Sequence, residues 1–225
     1  MPDILENLNL RFDHAILQQE VTADDIRQIC REAREYGFFS VAVNPAWVSQ
    51  ALQELHNSPV KILSVSGFPL GAHRTDIKIA EAVKGVDDGA HEIDMVANIG
   101  WLVSGAFNRV EDEIATIRKA IPYNVVLKVI IEAGKLTTGQ RADTVHAVIN
   151  GGAQFVKTCT GFFGGATVEQ VQDLFRAARG EIEVKASGGI RTLEQCRLLL
   201  EAGATRLGSS SSVAVMNELK NDRNE

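Results

Sequence analysis

Two lysines stand where core strands normally carry valine or isoleucine. The stretch Phe155-Val156-Lys157-Thr158-Cys159-Thr160-Gly161-Phe162 reads as a short buried strand running into a glycine turn. Ile182-Glu183-Val184-Lys185-Ala186-Ser187-Gly188-Gly189 repeats the pattern, with a central lysine and glycine behind it. Burying an ammonium is costly, so lysines inside core strands are uncommon. A lysine amine attacks a carbonyl only when neutral, and at its free pKa near 10.4 roughly 0.04 % is neutral at pH 7. A second ammonium about 6 Å away, at an effective dielectric near 20, disfavours the charged form by about 3 kcal/mol. Burial acts in the same direction. Lys157 beside Lys185 therefore suits an amine that forms a Schiff base with a carbonyl substrate.

Such a pair needs a frame that brings two strands together. Strand-like runs recur at 11–17, 38–44, 61–68, 91–98, 125–131, 154–160, 181–187 and 205–209. Helical periodicity fills most of the gaps: Val110, Ile114, Ile117 and Ile121 fall on one face, as do Leu193, Cys196, Leu199 and Leu200. Thr137/Gln140, Thr167/Gln170 and Thr192/Gln195 have the spacing of capping boxes, and Thr22/Asp25 is a shorter-armed version. Eight such units in 225 residues predict an α/β fold, a closed (β/α)8 TIM barrel forming a single domain over 1–225. A polar tail is expected from about Lys220. An open doubly wound sheet is the alternative, but no Gly-x-Gly-x-x-Gly turn follows the first strand.

Alternation along the strands then assigns faces. Asp94 opposes Ile93 and Met95, and Lys128 opposes Leu127, Val129 and Ile131. Lys157 shares a face with Phe155 and Cys159, and Lys185 with Glu183 and Ser187. If the apolar faces meet the helices, then Asp94, Lys128, Lys157 and Lys185 share one interior. Asp94 would there accept and return the proton that enamine chemistry moves. The competing reading is an ion-pair network in which Asp94, Glu92 or Glu183 only neutralises the lysines. Asp13-His14, near the first strand, suits a substrate contact or a structural hydrogen bond equally.

The substrate's other end is suggested by two loops. Ser187-Gly188-Gly189-Ile190-Arg191 and Gly208-Ser209-Ser210-Ser211-Ser212 follow the last two strands, where barrels hold phosphate on backbone amides and a short helix. Val213, Val215, Met216 and Leu219 fit that helix. The histidines lack metal-ligand spacing, and the three cysteines, Cys30, Cys159 and Cys196, are not paired for zinc. No metal or other cofactor is expected. Cys159 shares the face of Lys157, but no histidine is predicted beside it, so it reads as a small packing residue.

Composition narrows the setting. A net charge of −6 argues against nucleic acid and anionic membranes as partners. No apolar run reaches the roughly 18 residues of a membrane span. The opening Met1-Pro2-Asp3-Ile4-Leu5-Glu6 lacks the basic start and apolar core of a signal peptide. Scattered cysteines fit reduced thiols, so a cytoplasmic protein is expected.

With these residues in place the chain resembles the deoxyribose-phosphate aldolases over nearly its whole length. The resemblance rests on Phe12-Asp13-His14-Ala15-Ile16-Leu17, Val43-Asn44-Pro45, Gly67-Phe68-Pro69-Leu70-Gly71-Ala72 and Glu92-Ile93-Asp94-Met95-Val96. It continues through Leu127-Lys128-Val129-Ile130-Ile131-Glu132, the two lysine strands and Gly203-Ala204-Thr205-Arg206. It implies a (β/α)8 barrel that cleaves 2-deoxy-D-ribose 5-phosphate to acetaldehyde and D-glyceraldehyde 3-phosphate. By the same resemblance Lys157 forms the Schiff base, Lys185 lowers its basicity and aids proton transfer, and Asp94 works with a water. Gly188, Gly189, Ser210 and Ser211 fall where the family holds phosphate. We expect a homodimer or homotetramer. Four positions depart from the pattern: Ala15 and Ala133 stand for threonine, Cys159 for serine and Ser212 for glycine. Ala15 is expected to cost a substrate contact, and Ser212 to stiffen the phosphate loop. A sugar-phosphate-binding barrel with little turnover, and a transaldolase-like or other Schiff-base aldolase, are the competing functions.

Overall fold

The computed structural model describes residues 4–222. Strands β1 (Phe12–Ile16), β2 (Ser40–Val43), β3 (Lys61–Ser66) and β4 (Glu92–Val96) form the first half of the sheet. β5 (Val126–Ile130), β6 (Phe155–Lys157), β7 (Glu183–Ser187) and β8 (Arg206–Ser209) form the second. All neighbours are parallel and β8 returns to β1, pairing Asp13 with Gly208 and His14 with Ser209, so the barrel is closed. The helices are α1 (Ala23–Tyr36), α2 (Val48–Glu54), α3 (Thr75–Asp87), α4 (Ile99–Val103), α5 (Phe107–Ala120), α6 (Thr138–Asn150), α7 (Val168–Ala178), α8 (Leu193–Glu201) and α9 (Ser212–Asp222).

The local signals work as their chemistry requires. Thr22, Thr137, Thr167 and Thr192 each accept from the amide three residues on and receive the reciprocal side chain, Asp25 included. α1 buries Ile26, Ile29, Cys30 and Ala33, one stripe at helical spacing, and stops at Gly37 with a left-handed φ of 65°. Such stripes meet the outward strand residues Ile93, Met95, Leu127, Val129, Val156 and Val184 in one continuous apolar layer. Each large aliphatic side chain fully buried there contributes roughly 1.5–3 kcal/mol.

α9 runs to Asp222, its last buried residue is Leu219, and Lys220, Asn221 and Asp222 are polar and exposed where the polar tail is expected. The end of the chain beyond Asp222 lies outside the described residues. Two expectations change. β6 is three residues long. Backbone bonds persist at Thr158, whose amide donates to Lys185 O at 3.0 Å, and beyond it side chains take over, the Thr160 amide donating to Glu132 Oε2 at 3.1 Å. The inner face is polar on one side only. Ala42, Leu63 and Val65 form a small apolar cluster inside β2 and β3, with Ala15, Leu17 and Phe68 packed on it.

Candidate active site

The barrel places the four polar strand residues where alternation put them. Register sets Asp94 beside Lys128 and Lys157 beside Lys185. Lys157 Nζ donates to Asp94 Oδ2 at 2.7 Å and Lys185 Nζ donates to the same oxygen at 2.8 Å. Lys128 Nζ lies 3.2 Å from Asp94 Oδ1 and also pairs with Glu92. Asp94, Lys128 and Lys185 are almost wholly inaccessible, while the Lys157 side chain keeps 5 % exposure at the floor of an open cavity.

Two further groups complete the cluster. Asp13 Oδ2 sits 2.5 Å from Lys185 Nζ, and its Oδ1 accepts from Arg206 at 2.8 Å and from Ser40 Oγ at 2.7 Å. Arg206 also faces Glu92 Oε2 at 3.6 Å. The contacts close a ring of alternating charge, Asp13–Lys185–Asp94–Lys128–Glu92–Arg206, with Lys157 attached to it through Asp94. Four cations thus meet three carboxylates in these ion pairs. Charge balance is reached when one lysine gives up its proton.

The titration of each member follows from its neighbours. Burial pushes the Asp13 carboxyl up, but Lys185, Lys128 and Arg206 together outweigh it and hold the group below the carboxylate range. Burial likewise opposes ionisation of Asp94, and the three lysines reverse it. Lys128 keeps its proton more tightly than usual, because Asp94, Glu92 and Asp13 outweigh its burial. Lys185 goes the other way. Its complete burial, with Lys157 and Lys128 nearby, prevails over Asp13 and Asp94 and makes its proton easier to lose.

Above the lysines the ends of β6, β7, β8 and β1 enclose a cavity of about 220 Å³. Lys157, Lys185, Gly188, Gly189 and Ser210 line it, with Ala15, Leu17 and Ala42 as an apolar wall. Ser211 does not line it, and its amide is engaged by Ser209 Oγ at 2.9 Å. Arg191, from the glycine loop, lines the cavity too. The loops after β6 and β7 touch through backbone, with Cys159 Sγ packed beside the contact. Gly188, at φ 85°, is so close that an added Cβ would stand 2.9 Å from Gly161 Cα.

The ambiguous positions are now placed. His14 points outward, where Nε2 lies 2.9 Å from Glu32 Oε2 and the ring packs on Phe38, so of the Asp13-His14 pair only Asp13 reaches the site. Glu183 shares the inward parity of Lys185 but lies exposed at the opposite mouth, bonded to Thr205 Oγ1 at 2.7 Å, and neutralises no lysine of the cluster. Cys159 is buried with Sγ 2.7 Å from the Ser187 carbonyl, and burial pushes its thiol up, which suits packing and not nucleophilic attack. Ala15 lines the cavity without a hydroxyl to offer, and Ser212 is buried at the start of α9 with Oγ donating to Ser209 O at 3.1 Å. Ala133 is buried at a tight turn, its amide donating to Thr158 O at 2.7 Å. Arg206 was not singled out from its residue type. Extending the alternation to β8 finds it, since Arg206 and Gly208 share the inward face.

Comparison with known proteins agrees with this geometry. Residues 8–212 match the model of the DeoC/LacD family aldolases. A deoxyribose-phosphate aldolase of Lactococcus lactis is 44 % identical over 218 residues, which cover 96 % of this chain and 99 % of the relative. One from Carboxydothermus hydrogenoformans is 47 % identical over 212 residues, covering 92 % and 93 %. Among solved structures, the tetrameric deoxyribose phosphate aldolase of Aeropyrum pernix superposes with a TM-score of 0.90 at 34 % identity, over 98 % of this chain and 93 % of that one. A barrel with a lysine-rich interior under a glycine-lined cavity, matched along nearly its full length, belongs to the DeoC/LacD family of aldolases.

Proposed function

We propose that the chain cleaves 2-deoxy-D-ribose 5-phosphate reversibly to acetaldehyde and D-glyceraldehyde 3-phosphate through a Schiff base on Lys157. The observation that carries the reading is the excess of one cation over the carboxylates, with Lys157 attached to Asp94 and open to the cavity. The cluster favours one neutral amine, and Lys157 is the lysine of that cluster with the greatest side-chain access. Its attack on the aldehyde carbon, with loss of water, gives an iminium that accepts the electrons of the breaking C2–C3 bond. A base must take the proton of the C3 hydroxyl, and an acid must later protonate C2 of the enamine. Asp94, directly or through a water, and Lys185 are assigned these transfers, since both contact the Lys157 amine or its partner oxygen. Water then releases acetaldehyde and frees the amine.

The apolar wall of Ala15, Leu17 and Ala42 supports a 2-deoxy substrate, because it offers no side-chain partner to a hydroxyl at C2. Gly188, Gly189 and Ser210 are proposed to hold the phosphate at the other end of the cavity, with Arg191 beside them. Ser211 is assigned to shaping that loop, its amide being taken by Ser209. Assembly as a homodimer or homotetramer is proposed by likeness to the tetrameric Aeropyrum pernix protein. A cytoplasmic location is proposed from the same relatives. Among the described residues no helix is long and apolar enough to cross a membrane, and the three cysteines are free and buried.

The test is a retro-aldol assay on 2-deoxyribose 5-phosphate beside ribose 5-phosphate and fructose 1,6-bisphosphate, with and without a chelator. Turnover of the first alone, unaffected by the chelator, is expected. Preference for either other sugar would assign the chain to a different aldol reaction, and binding without turnover would make it a sugar-phosphate binder.

A further inference from the structure

Arg206 opens β8 at the end of the barrel away from the cavity, and it is not among the residues that line it. Its guanidinium lies 3.6 Å from the ring centroid of Phe39 and 5.6 Å from that of Phe155. It donates to Asp13 Oδ1 and faces Glu92, as described above. Two aromatic faces and two carboxylates fix a planar cation that stays protonated throughout the working pH range. Burial weakens its hold on the proton, but Asp13 and Glu92 outweigh that effect. The other three cations of the cluster are lysines, which can lose theirs.

This difference gives Arg206 work that a lysine could not do as dependably. By taking Asp13 Oδ1, together with Ser40, it directs Oδ2 to Lys185. As a permanent charge within the ring it also raises the energy of any state in which all three lysines are protonated. The charged groups around it are Asp13 from β1, Glu92 and Asp94 from β4, Lys128 from β5, Lys157 from β6 and Lys185 from β7. Glu183 is exposed and bonded to Thr205, outside the ring.

We infer that Arg206 is a positioning residue for the aldol reaction, holding Asp13 on Lys185 and setting the pH above which the cluster supplies a free amine. The inference rests on the reading of Lys157 as the Schiff-base lysine. It predicts an effect on protonation from a side chain that does not line the substrate cavity.

The experiment compares the parent protein with Arg206→Gln, Arg206→Lys and Glu92→Gln. It reads kcat/KM for 2-deoxyribose 5-phosphate against pH, and the titration of 13Cε-labelled lysines by NMR. Loss of a charge four ion pairs from the Lys157 amine by either way round the ring, at an effective dielectric near 20, corresponds to a shift on the order of one pH unit. Arg206→Gln keeps a donor for Asp13 and should move the acidic limb up by about that much. Activity should fall roughly ten-fold below the limb and recover on the alkaline plateau, with KM there unchanged. Arg206→Lys should return most of the limb towards the parent position, and Glu92→Gln should move it the opposite way, to lower pH. Uniform loss at every pH with an unmoved limb, in Arg206→Gln and Glu92→Gln alike, would reduce Arg206 to a structural prop. The NMR titration needs no turnover. If borohydride fails to capture acetaldehyde on Lys157 the Schiff-base reading falls, while cluster lysines titrating alike in parent and Arg206→Gln overturn the inference itself.

Discussion

Lys157 and Lys185 share one acceptor atom, Oδ2 of Asp94, at 2.7 and 2.8 Å. Their nitrogens can be no further apart than those two bonds laid end to end. Close ammonium groups repel, and here the carboxylate between them offsets part of that repulsion. Asp94 therefore belongs to both lysines, and any change to one alters what the other feels.

The first prediction concerns which lysine reacts. Acetaldehyde with borohydride should add one ethyl group, on Lys157, located by peptide mass spectrometry. Among the three cluster lysines Lys157 has the greatest side-chain access to the cavity; Lys185 borders it but is almost wholly covered, and Lys128 is sealed. Modification of Lys185 or Lys128 with Lys157 untouched would sink the assignment. Lys157→Arg should lose at least about 10³-fold in kcat, since a guanidinium cannot form the adduct.

Replacing Lys185 by leucine should move the acidic limb of the pH–rate profile to higher pH. The like charge disappears, and Asp94 Oδ2 is left to Lys157 alone. Both changes favour protonated amine; the more apolar surroundings oppose them, but one side chain's desolvation is the smaller effect at this range. Lys185→Arg should keep the limb near its parent position while kcat falls, because a guanidinium does not pass protons. An unmoved limb in Lys185→Leu would leave proton transfer as the only role for Lys185.

The glycine and serine loops should discriminate by charge. Gly189→Asp or Ser210→Asp sets a carboxylate at the edge of the cavity where phosphate is proposed to lie. Activity on 2-deoxyribose 5-phosphate should fall by 10²-fold or more, roughly 3 kcal/mol, while activity on unphosphorylated 2-deoxyribose changes little. Equal losses on both sugars would assign the loops to structure.

Acid stability should follow the two depressed carboxylates. Asp13 and Asp94 titrate lower in the folded chain than in the unfolded one. Their stabilisation is therefore complete above the unfolded value near 3.9 and is lost as pH falls towards the folded values. Chemical denaturation should show stability dropping steadily from about pH 4 downward. Asp13→Asn should flatten that drop, and at pH 7 it should cost about 3–5 kcal/mol, because Lys185 and Arg206 lose a buried partner. A denaturation midpoint at pH 7 equal to that of the parent would contradict the buried-network account.

The sequence carried the barrel and its central residues because their signals are local. A lysine in an apolar strand stands out against its neighbours, and alternation turns Asp94, Lys128, Lys157 and Lys185 toward one side. Alternation does not report depth along the barrel axis. Glu183 and Arg206 both begin strands with inward parity, yet Glu183 ends in solvent and Arg206 under the cluster. A charged residue at the start of a strand looks the same in either case. The apolar wall of Ala42, Leu63 and Val65 was hidden for a different reason. In β3 the serines Ser64 and Ser66 face α3 while Leu63 and Val65 face the interior, so the rule that polar faces point inward is inverted there. Ser211 stands with Ser210 by the family resemblance; the bond that its amide donates to Ser209 Oγ distinguishes the two.

The contact between Gly161 and Gly188 makes the site a gauge of length. The loop that follows the lysine proposed to react and the loop proposed to grip the phosphate meet backbone to backbone, with the buried Cys159 Sγ packed against them. On the proposed reading, that main-chain contact sets the span from amine to phosphate, and with it the number of carbons that fit between aldehyde and phosphate. Exchanging side chains around the rim would retune affinity and leave that measure intact. A methyl group at position 188 would stand 2.9 Å from Gly161 Cα, and one of the two loops would have to shift.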